Sequence, residues 1–392
     1  MDNHKTLILT IRPLHKAPRV LRQIETIKSK TTITAIGTTD PKIQGVKFID
    51  YYRIFALGKI KRRLLKFKRS LYKRIPIHTE PVNAISLDTK TFHKRLKCLI
   101  SEINPTVVII HEPNWLPCAS FEDRNYSVIF NAHEYFPLQR ETDEWQLRFG
   151  QEYHKLYYEH IRNVDLLINV SPGIQQKCLD EFNKDSILIP NAPFYDDTSL
   201  PSVNEPGVVR IVHHGNAAPN REIEIMIKAV GSLHDLYENS VIGIEFKLDL
   251  YLHGNDQYMS KLIFIADLYE NVRILPHVDY EDIVKTMNTY DIGIFLLPDN
   301  SFNHRHALPN KLFEYMQARI GIIITPLPGM VDLVEKHGIG IVTDGFDAKT
   351  CAEAIKTLNL EKINEFKLKS GIAAEQECAD IYQQKLCDLM FS

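Results

Sequence analysis

Short runs of β-forming apolar residues, each followed by a loop and a helical stretch, repeat along this chain, and the repeat is interrupted once. In the first half the runs fall at residues 6–10, 31–37, 106–111, 127–131, 165–170 and 186–189. They are continuous rather than alternating, as in strands buried on both faces of a parallel sheet covered by helices. Between them lie helical patterns such as residues 19–30, with Val20, Ile24 and Ile27 on one face, and residues 92–103. A stretch at 191–207 then carries Pro193, Pro201 and Pro206, with Pro190 at its edge, and reads as a boundary. Beyond it the pattern restarts, with strands expected at 208–213, 245–252, 272–275, 292–296, 321–325 and 339–343. Helices are expected near 222–236, 280–288, 311–318, 330–336 and 348–358. Residues 361–391 read as helix with no strand after them.

The pattern predicts an α/β protein of two Rossmann-like open parallel-sheet domains facing each other across a cleft. The expected division is 1–195, a linker at 196–207, a second domain at 208–360, and a helical tail at 361–392 crossing back to the first domain. The chain's 392 residues suffice for two full cores. Ligands of open parallel sheets sit at the carboxyl ends of the strands, so residues there are the candidates for chemistry.

Several classes are disfavoured. Neither first strand is followed by Gly-x-Gly-x-x-Gly, and no Gly-x4-Gly-Lys-Ser/Thr occurs, which argues against a dinucleotide oxidoreductase and a P-loop kinase. The six cysteines are scattered without zinc or disulfide spacing, which suits a reducing cytoplasm. The polar start is unlike a signal peptide, and no apolar run approaches the roughly 18–20 residues of a membrane span. A net charge of −2 gives the whole molecule no bias toward polyanions. The expected location is cytoplasmic, at most resting peripherally on the inner face of the cytoplasmic membrane.

Three features of the second half fall at strand ends. His213-His-Gly-Asn216 is followed by Arg221; Gly215 lets backbone approach a ligand, and Arg221 offers a bidentate contact to phosphate. The plain alternative is a tight turn with a solvent-facing arginine. Ala307-Leu-Pro-Asn-Lys-Leu-Phe-Glu-Tyr-Met316 places Pro309 at a helix start, where free N–H groups and Lys311 would attract an anion. Glu314 stands on an otherwise apolar segment and needs hydrogen-bond donors if buried; ribose hydroxyls or a structural salt bridge would both serve. The loops Leu252-His-Gly-Asn255 and Leu275-Pro-His-Val278 bring Gly254 and His277, which either hold a base through backbone groups or simply connect elements.

From about residue 165 to 343 the sequence resembles glycosyltransferase family 4 and its relatives. The matching stretches are Asn169-Val-Ser-Pro-Gly173, Ile189-Pro-Asn-Ala192, His214-Gly-Asn216 with Arg221, Asp291-Ile-Gly-Ile294, Leu308-Pro-Asn-Lys-Leu-Phe-Glu-Tyr315 and Thr325-Pro-Leu-Pro-Gly329. The resemblance implies a GT-B fold, a nucleotide-diphosphate sugar donor (UDP- or GDP-linked), no obligatory metal or other cofactor, and retention of anomeric configuration. It also implies that Glu314 binds the ribose while Arg221 and Lys311 neutralise the leaving diphosphate, with Gly215, Asn216, Gly254, His277, Ala307, Leu308 and Asn310 around the donor. The family pattern has a second glutamate eight positions before Glu314; here that position is His306, which becomes a candidate for the catalytic surroundings. The family's glycine-rich first loop is also missing, and Arg12, Lys16 and Arg19 stand there instead.

In the first half, Asn131-Ala-His-Glu-Tyr135 follows a strand. The resemblance makes His133 a ligand of the donor sugar or acceptor hydroxyl, with Glu134 as a second acid/base candidate; a capping or core histidine is the simpler alternative. Residues 53–74 form the most biased stretch. From 51 to 79 there are ten Lys/Arg and no Asp/Glu, with Ile60, Leu64, Phe67 and Leu71 at helical spacing. A basic amphipathic helix suits an anionic membrane surface, and a solvated helix with its stripe in the core is the alternative. No nucleic-acid reader motif is present. The leading expectation is a transferase acting on a polysaccharide or lipid-linked acceptor in bacterial surface-glycan synthesis. A UDP-sugar epimerase of the same shape, and a non-catalytic nucleotide-sugar-binding protein, are the competing readings.

Overall fold

The computed structural model describes residues 4–55 and 89–391. Most of the basic stretch at 53–74 therefore lies outside the described residues. The chain forms two units, one comprising Met1–Val170, Ile174–Leu188 and Leu389–Ser392, the other Ser171–Gly173 and Ile189–Asp388.

The first unit is built on seven strands: β1 Lys5–Leu9, β2 Thr32–Gly37, β3 Val46–Asp50, β4 Val107–Ile110, β5 Ser127–Asn131, β6 Leu166–Asn169 and β7 Ile187–Leu188. Their order is β3-β2-β1-β4-β5-β6-β7, with every neighbouring pair parallel. Helices α1 Pro18–Ile27, α2 Thr89–Ile103, α3 Gln151–His160 and α4 Pro172–Phe182 are the longer segments of its connections. All six expected strands are present. The seventh, β3, escaped the reading because it is an edge strand of half-buried residues, without a continuous apolar run.

The second unit carries six strands: β8 Val208–Ala217, β9 Glu245–Gly254, β10 Val272–Pro276, β11 Ile292–Phe295, β12 Gly321–Ile324 and β13 Gly340–Val342. Their order is β10-β9-β8-β11-β12-β13, again all parallel. Its longer helices are α5 Glu224–Gly231, α6 Asp256–Ala266, α7 Asn310–Gln317, α8 Pro328–His337, α9 Ala348–Lys356, α10 Leu360–Gln376 and α11 Ala379–Phe391. The expected single helix at 222–236 is split by a break at Ser232. Both faces of this sheet are buried: Ile323 of β12 packs with Ile211, Leu248 and Ile294, while Ile322 and Ile324 pack with Phe313, Met316 and Ala373. That two-sided burial explains why the strands read as unbroken apolar runs.

In each sheet the strand order reverses beside the first strand, between β1 and β4 and between β8 and β11. The carboxyl ends of those strands are where a doubly wound sheet opens a crevice. They carry Thr10–Arg12 and His111–Glu112 in the first unit, and residues 213–217 and 296–298 in the second.

The segment 189–207 is laid along the second unit. Ala192 is in its core. The Asp196 amide donates to Gln317 Oε1 at 2.9 Å, and Arg319 Nη2 donates to the Asp196 carbonyl at 2.6 Å. Lys367, 1% exposed, ties Ser202 and Asn204 to Asp291, whose Oδ1 is 2.7 Å from Nζ. The C-terminal helices serve the same unit until Asp388, and Leu389–Ser392 cluster with the first unit.

A buried carboxylate pins α8 to the end of α10. Glu377 accepts from Lys336 Nζ at 2.6 Å, lies 2.8 Å from His337 Nε2, and accepts from the Tyr382 hydroxyl. Burial alone would raise its pKa, but these partners outweigh burial and hold it down at about 2. A carboxyl depressed on folding stabilises above its unfolded pKa, and that contribution is lost as pH falls between about 4.5 and 2. Glu377→Gln is expected to lower stability at pH 7 by about 3 kcal/mol. Urea unfolding at pH 7 and pH 3 checks this: the gap between wild type and variant should shrink at the lower pH.

Candidate functional site

The most concentrated set of expected site residues lies at the carboxyl end of β8. This strand runs further than the sequence suggested. It pairs with β11 only at Ile211 and Val212, then continues beside β9 to Ala217. Gly215 therefore sits inside an extended β8–β9 arm rather than in a loop. Its φ is +120°, a conformation side chains rarely adopt, and a Cβ there would lie 2.8 Å from Lys311 Nζ. The missing side chain leaves a notch that the lysine ammonium occupies.

Lys311 belongs to the first turn of α7. The helix is set against the sheet by Tyr315, whose ring fills the space a Cβ on Gly293 of β11 would take, at 2.4 Å. This gives the Asp291-Ile-Gly-Ile294 stretch its physical reason. Pro309 is the N-cap and no side chain caps the helix, so its first N–H groups face outward from an uncapped end. Lys311 Nζ stands 5.2 Å from the centroid of the Phe295 ring. Burial, then the nearby Arg221 charge, depress its pKa to about 7, against a smaller opposing pull from Glu314.

One turn along, Glu314 is 5% exposed, and His214 Nε2 lies 3.1 Å from its Oε2. The two are at ion-pair distance. Burial lowers the His214 pKa while Glu314 opposes it. His213, fully buried, stacks on Phe295 with ring centroids 5.9 Å apart and planes 8° apart. Its Nδ1 lies 2.8 Å from the Ile294 carbonyl. A carbonyl can only accept, so Nδ1 carries the proton and Nε2 keeps its lone pair. Burial, reinforced by Lys311, holds this ring neutral.

The other expected residues divide. Arg221 closes a short turn at Pro219–Arg221, with Nη1 3.5 Å from the Asn216 carbonyl; burial lowers its pKa. Asn310 Oδ1 accepts from Asn191 Nδ2 at 2.5 Å, and Leu308 is in the core. Gly254 has a fold reason: a Cβ there would meet the Ala217 carbonyl oxygen at 2.5 Å, so the β8–β9 arm needs it. His277 is exposed, and the His253 ring centroid is 5.5 Å from its own; burial, then the charges of His277, Lys311 and Arg221, lower the His253 pKa. Gly329 accommodates the backbone of His306 and Ala307, the Ala307 oxygen lying 2.7 Å from where its Cβ would be. The His306 ring packs on Phe302 at 4.6 Å and on Gly173, which clusters with this unit; a Cβ on Gly173 would be 2.0 Å from His306 Nδ1. Burial, then Arg305, lower the His306 pKa. His213, His214 and Phe295 were not among the expected site residues. The paired histidines in a strand end were the available signal.

In the first unit, His133 Nε2 lies 3.0 Å from His111 Nδ1, so one ring donates and the other accepts. Burial, then Arg19, push His133 well below its ordinary pKa and His111 to about 3. Both rings are neutral at pH 7. Glu134 Oε1 accepts from Gln139 Nε2 at 2.7 Å. The carboxylate buried nearest this centre is Glu112, which accepts from Thr10 Oγ1 at 2.7 Å, the Ile11 amide at 3.1 Å and Trp115 Nε1 at 3.2 Å. Among the described residues no three His, Cys, Asp or Glu side chains gather as metal ligands, and no helix is long and apolar enough to cross a membrane.

Residues 201–374 match the family Glycosyl transferases group 1. No curated protein sequence matches the chain. Among solved structures, a sucrose-phosphate synthase from Thermosynechococcus elongatus is similar with a TM-score of 0.72 at 12% identity, over 99% of this chain and 98% of that one. WaaG, a glycosyltransferase involved in lipopolysaccharide biosynthesis, gives 0.67 at 10% identity over 99% and 100%. An E. coli trehalose-6-phosphate protein bound with UDP-2-fluoro glucose gives 0.67 at 12% over 98% of each chain. The fold is GT-B, two Rossmann-like units with open parallel sheets of seven and six strands.

Proposed function

We propose that this protein transfers a sugar from a nucleotide-diphosphate sugar, UDP- or GDP-linked, to a glycan or lipid-linked acceptor. One observation carries the reading: a half-buried lysine Nζ is held in the Gly215 notch beside an uncapped helix end, with a buried glutamate one turn further. That arrangement suits a diphosphate attached to a ribose. The match of residues 201–374 to Glycosyl transferases group 1 supports it.

In this reading the donor diphosphate lies against Lys311, Arg221 and the first turn of α7. Glu314 accepts from the ribose hydroxyls. Charge building on the departing diphosphate is stabilised by groups already in position, which is where most of the rate comes from. The sugar passes through an oxocarbenium-like state. His133, neutral at pH 7, is the proposed partner of the acceptor hydroxyl, and His306 stands in the donor-sugar surroundings. We assign retention by same-face attack, no required metal, hexosyl or hexosaminyl transfer, and a role in bacterial surface-glycan synthesis at the inner membrane face as finer parts of the same proposal. The likeness to WaaG, a glycosyltransferase involved in lipopolysaccharide biosynthesis, supports the last of these.

A thermal-shift screen against UDP-, GDP-, CMP- and ADP-sugars tests it, because a ligand that binds only the folded chain raises the melting temperature. A UDP- or GDP-sugar should stabilise, and mass spectrometry should then find a transferred sugar only when acceptor is present. Stabilisation by none of the four, or turnover of donor into an isomer without acceptor, refutes the transferase reading. Glu314→Ala should weaken donor binding by about 1–3 kcal/mol. Unchanged affinity in a folded variant removes Glu314 from the ribose role.

A further inference from the structure

The donor reading gives Lys311, Arg221 and Glu314 a task and leaves His213 without one. This histidine stands where two central strands part. The β8–β11 ladder ends with Val212 opposite Gly293. One residue further, a side chain makes the link across the gap: His213 Nδ1 donates to the Ile294 carbonyl at 2.8 Å. The Tyr315 hydroxyl of α7 reaches the same carbonyl at 3.4 Å. The Phe295 ring lies flat against the imidazole, with 5.9 Å between centroids. The carbonyl fixes the tautomer and the stacked ring fixes the plane.

The fixed tautomer leaves a bare lone pair at Nε2. That atom is enclosed and has no hydrogen-bond partner. A core residue needed only for the bond to Ile294 would not require a second buried polar atom. Leaving such an acceptor unpaired costs about 1–3 kcal/mol, so its retention calls for a use. A complementary group rests on the same aromatic ring. An ammonium carries three N–H donors. Among the described residues Lys311 Nζ makes no hydrogen bond or ion pair, and its contact is with the Phe295 face at 5.2 Å. After burial, the Lys311 charge does most to keep His213 unprotonated, with His214 and Arg221 adding to it. The charged groups that act on Lys311 are Arg221 and Glu314.

We propose that His213 is a positioning residue for Lys311: once a diphosphate engages the ammonium, His213 Nε2 accepts one of its N–H groups and leaves the other two for phosphate oxygens. The diphosphate rests on the transferase reading; the pairing of the two side chains rests on the geometry of the second unit. The histidine orients the ammonium and favours its protonated form, and touches neither sugar nor phosphate itself.

The test is calorimetric titration of the full chain with UDP, GDP and inorganic diphosphate at pH 6, where the free lysine is protonated. Two variants divide the imidazole between them. In His213→Asn the amide can still donate to Ile294 but nothing stands at the Nε2 position. In His213→Gln the longer amide brings an oxygen to that position and gives up Ile294. The asparagine variant should be the more stable of the two and bind the probe roughly 10- to 100-fold more weakly than wild type. The glutamine variant should melt lower and bind more tightly than the asparagine variant. A histidine with a purely structural role would make affinity follow stability instead. In a Lys311→Met background, His213→Asn should cost no further affinity, because it acts through the lysine. Wild-type affinity in His213→Asn, or an equal loss in both backgrounds, overturns the proposal while nucleotide binding keeps the donor reading. If inorganic diphosphate binds with the same coupling but UDP and GDP do not, the donor reading fails and the role of His213 stands. If none of the three binds, both fall.

Discussion

Lys311→Met is expected to lower kcat for sugar transfer roughly 10²–10³-fold, the loss that follows removal of one preorganised donor facing a developing negative charge. The lysine is suited to this because it is already desolvated and fixed, in the Gly215 notch and beside the Phe295 ring. Little reorganisation is then needed when the diphosphate departs. Its pKa of about 7 in the free protein adds a second readout. Above pH 7 the free lysine loses its proton, whereas a bound diphosphate favours the ammonium, so donor binding takes up a proton. Donor affinity should fall by up to about tenfold per pH unit above 7, until the pKa of the bound state is passed. Calorimetry in two buffers of different ionisation enthalpy measures the uptake. In Lys311→Met both the uptake and that part of the pH dependence should vanish. A variant that keeps wild-type turnover, or still takes up the proton, would exclude Lys311 from the diphosphate site.

Gly215→Ala is expected to damage stability and activity together. At φ +120° an L-residue is strained by about 1–3 kcal/mol. The added methyl would also sit 2.8 Å from Lys311 Nζ, so the ammonium has to leave its notch. The melting temperature should fall and turnover should drop nearly as far as in Lys311→Met. The double variant separates the effects. With Lys311 already replaced, Gly215→Ala should add little further loss of turnover while keeping its full cost in stability, since the two residues share one contact. Additive losses in turnover would mean that the glycine serves the donor in some other way, such as backbone approach to the nucleotide.

The parts of this protein legible in the sequence are those set by burial. Strands covered on both faces must be apolar at every position, so β4 and β12 announced themselves, whereas the half-exposed edge strand β3 did not. Lys311, Glu314 and Gly215 were legible for a related reason: charge on an apolar segment, or glycine at a strand end, contradicts its surroundings and calls for an explanation. The extension of β8 to Ala217 was hidden, because His213-His-Gly-Asn216 has no strand propensity and is held by its ladder with β9. The burial of charged residues on α1 was hidden too. Arg19, Arg22 and Gln23 look like the solvent face of an ordinary amphipathic helix, and only the packing of that helix beside β5 shows them enclosed.

Sequence alone decided where the buried strands and most helices form, that the chain restarts once, and which residue types stand at strand ends. Those are local matters, governed by periodicity and by the cost of exposing apolar side chains. The tertiary structure decided which strand ends lie together. The lysine meets its glycine notch 96 positions away in the chain, and His111 meets His133 across the β4–β5 pair. It also decided the protonation of these groups, because desolvation depends on what the fold places around a side chain and not on its neighbours in sequence.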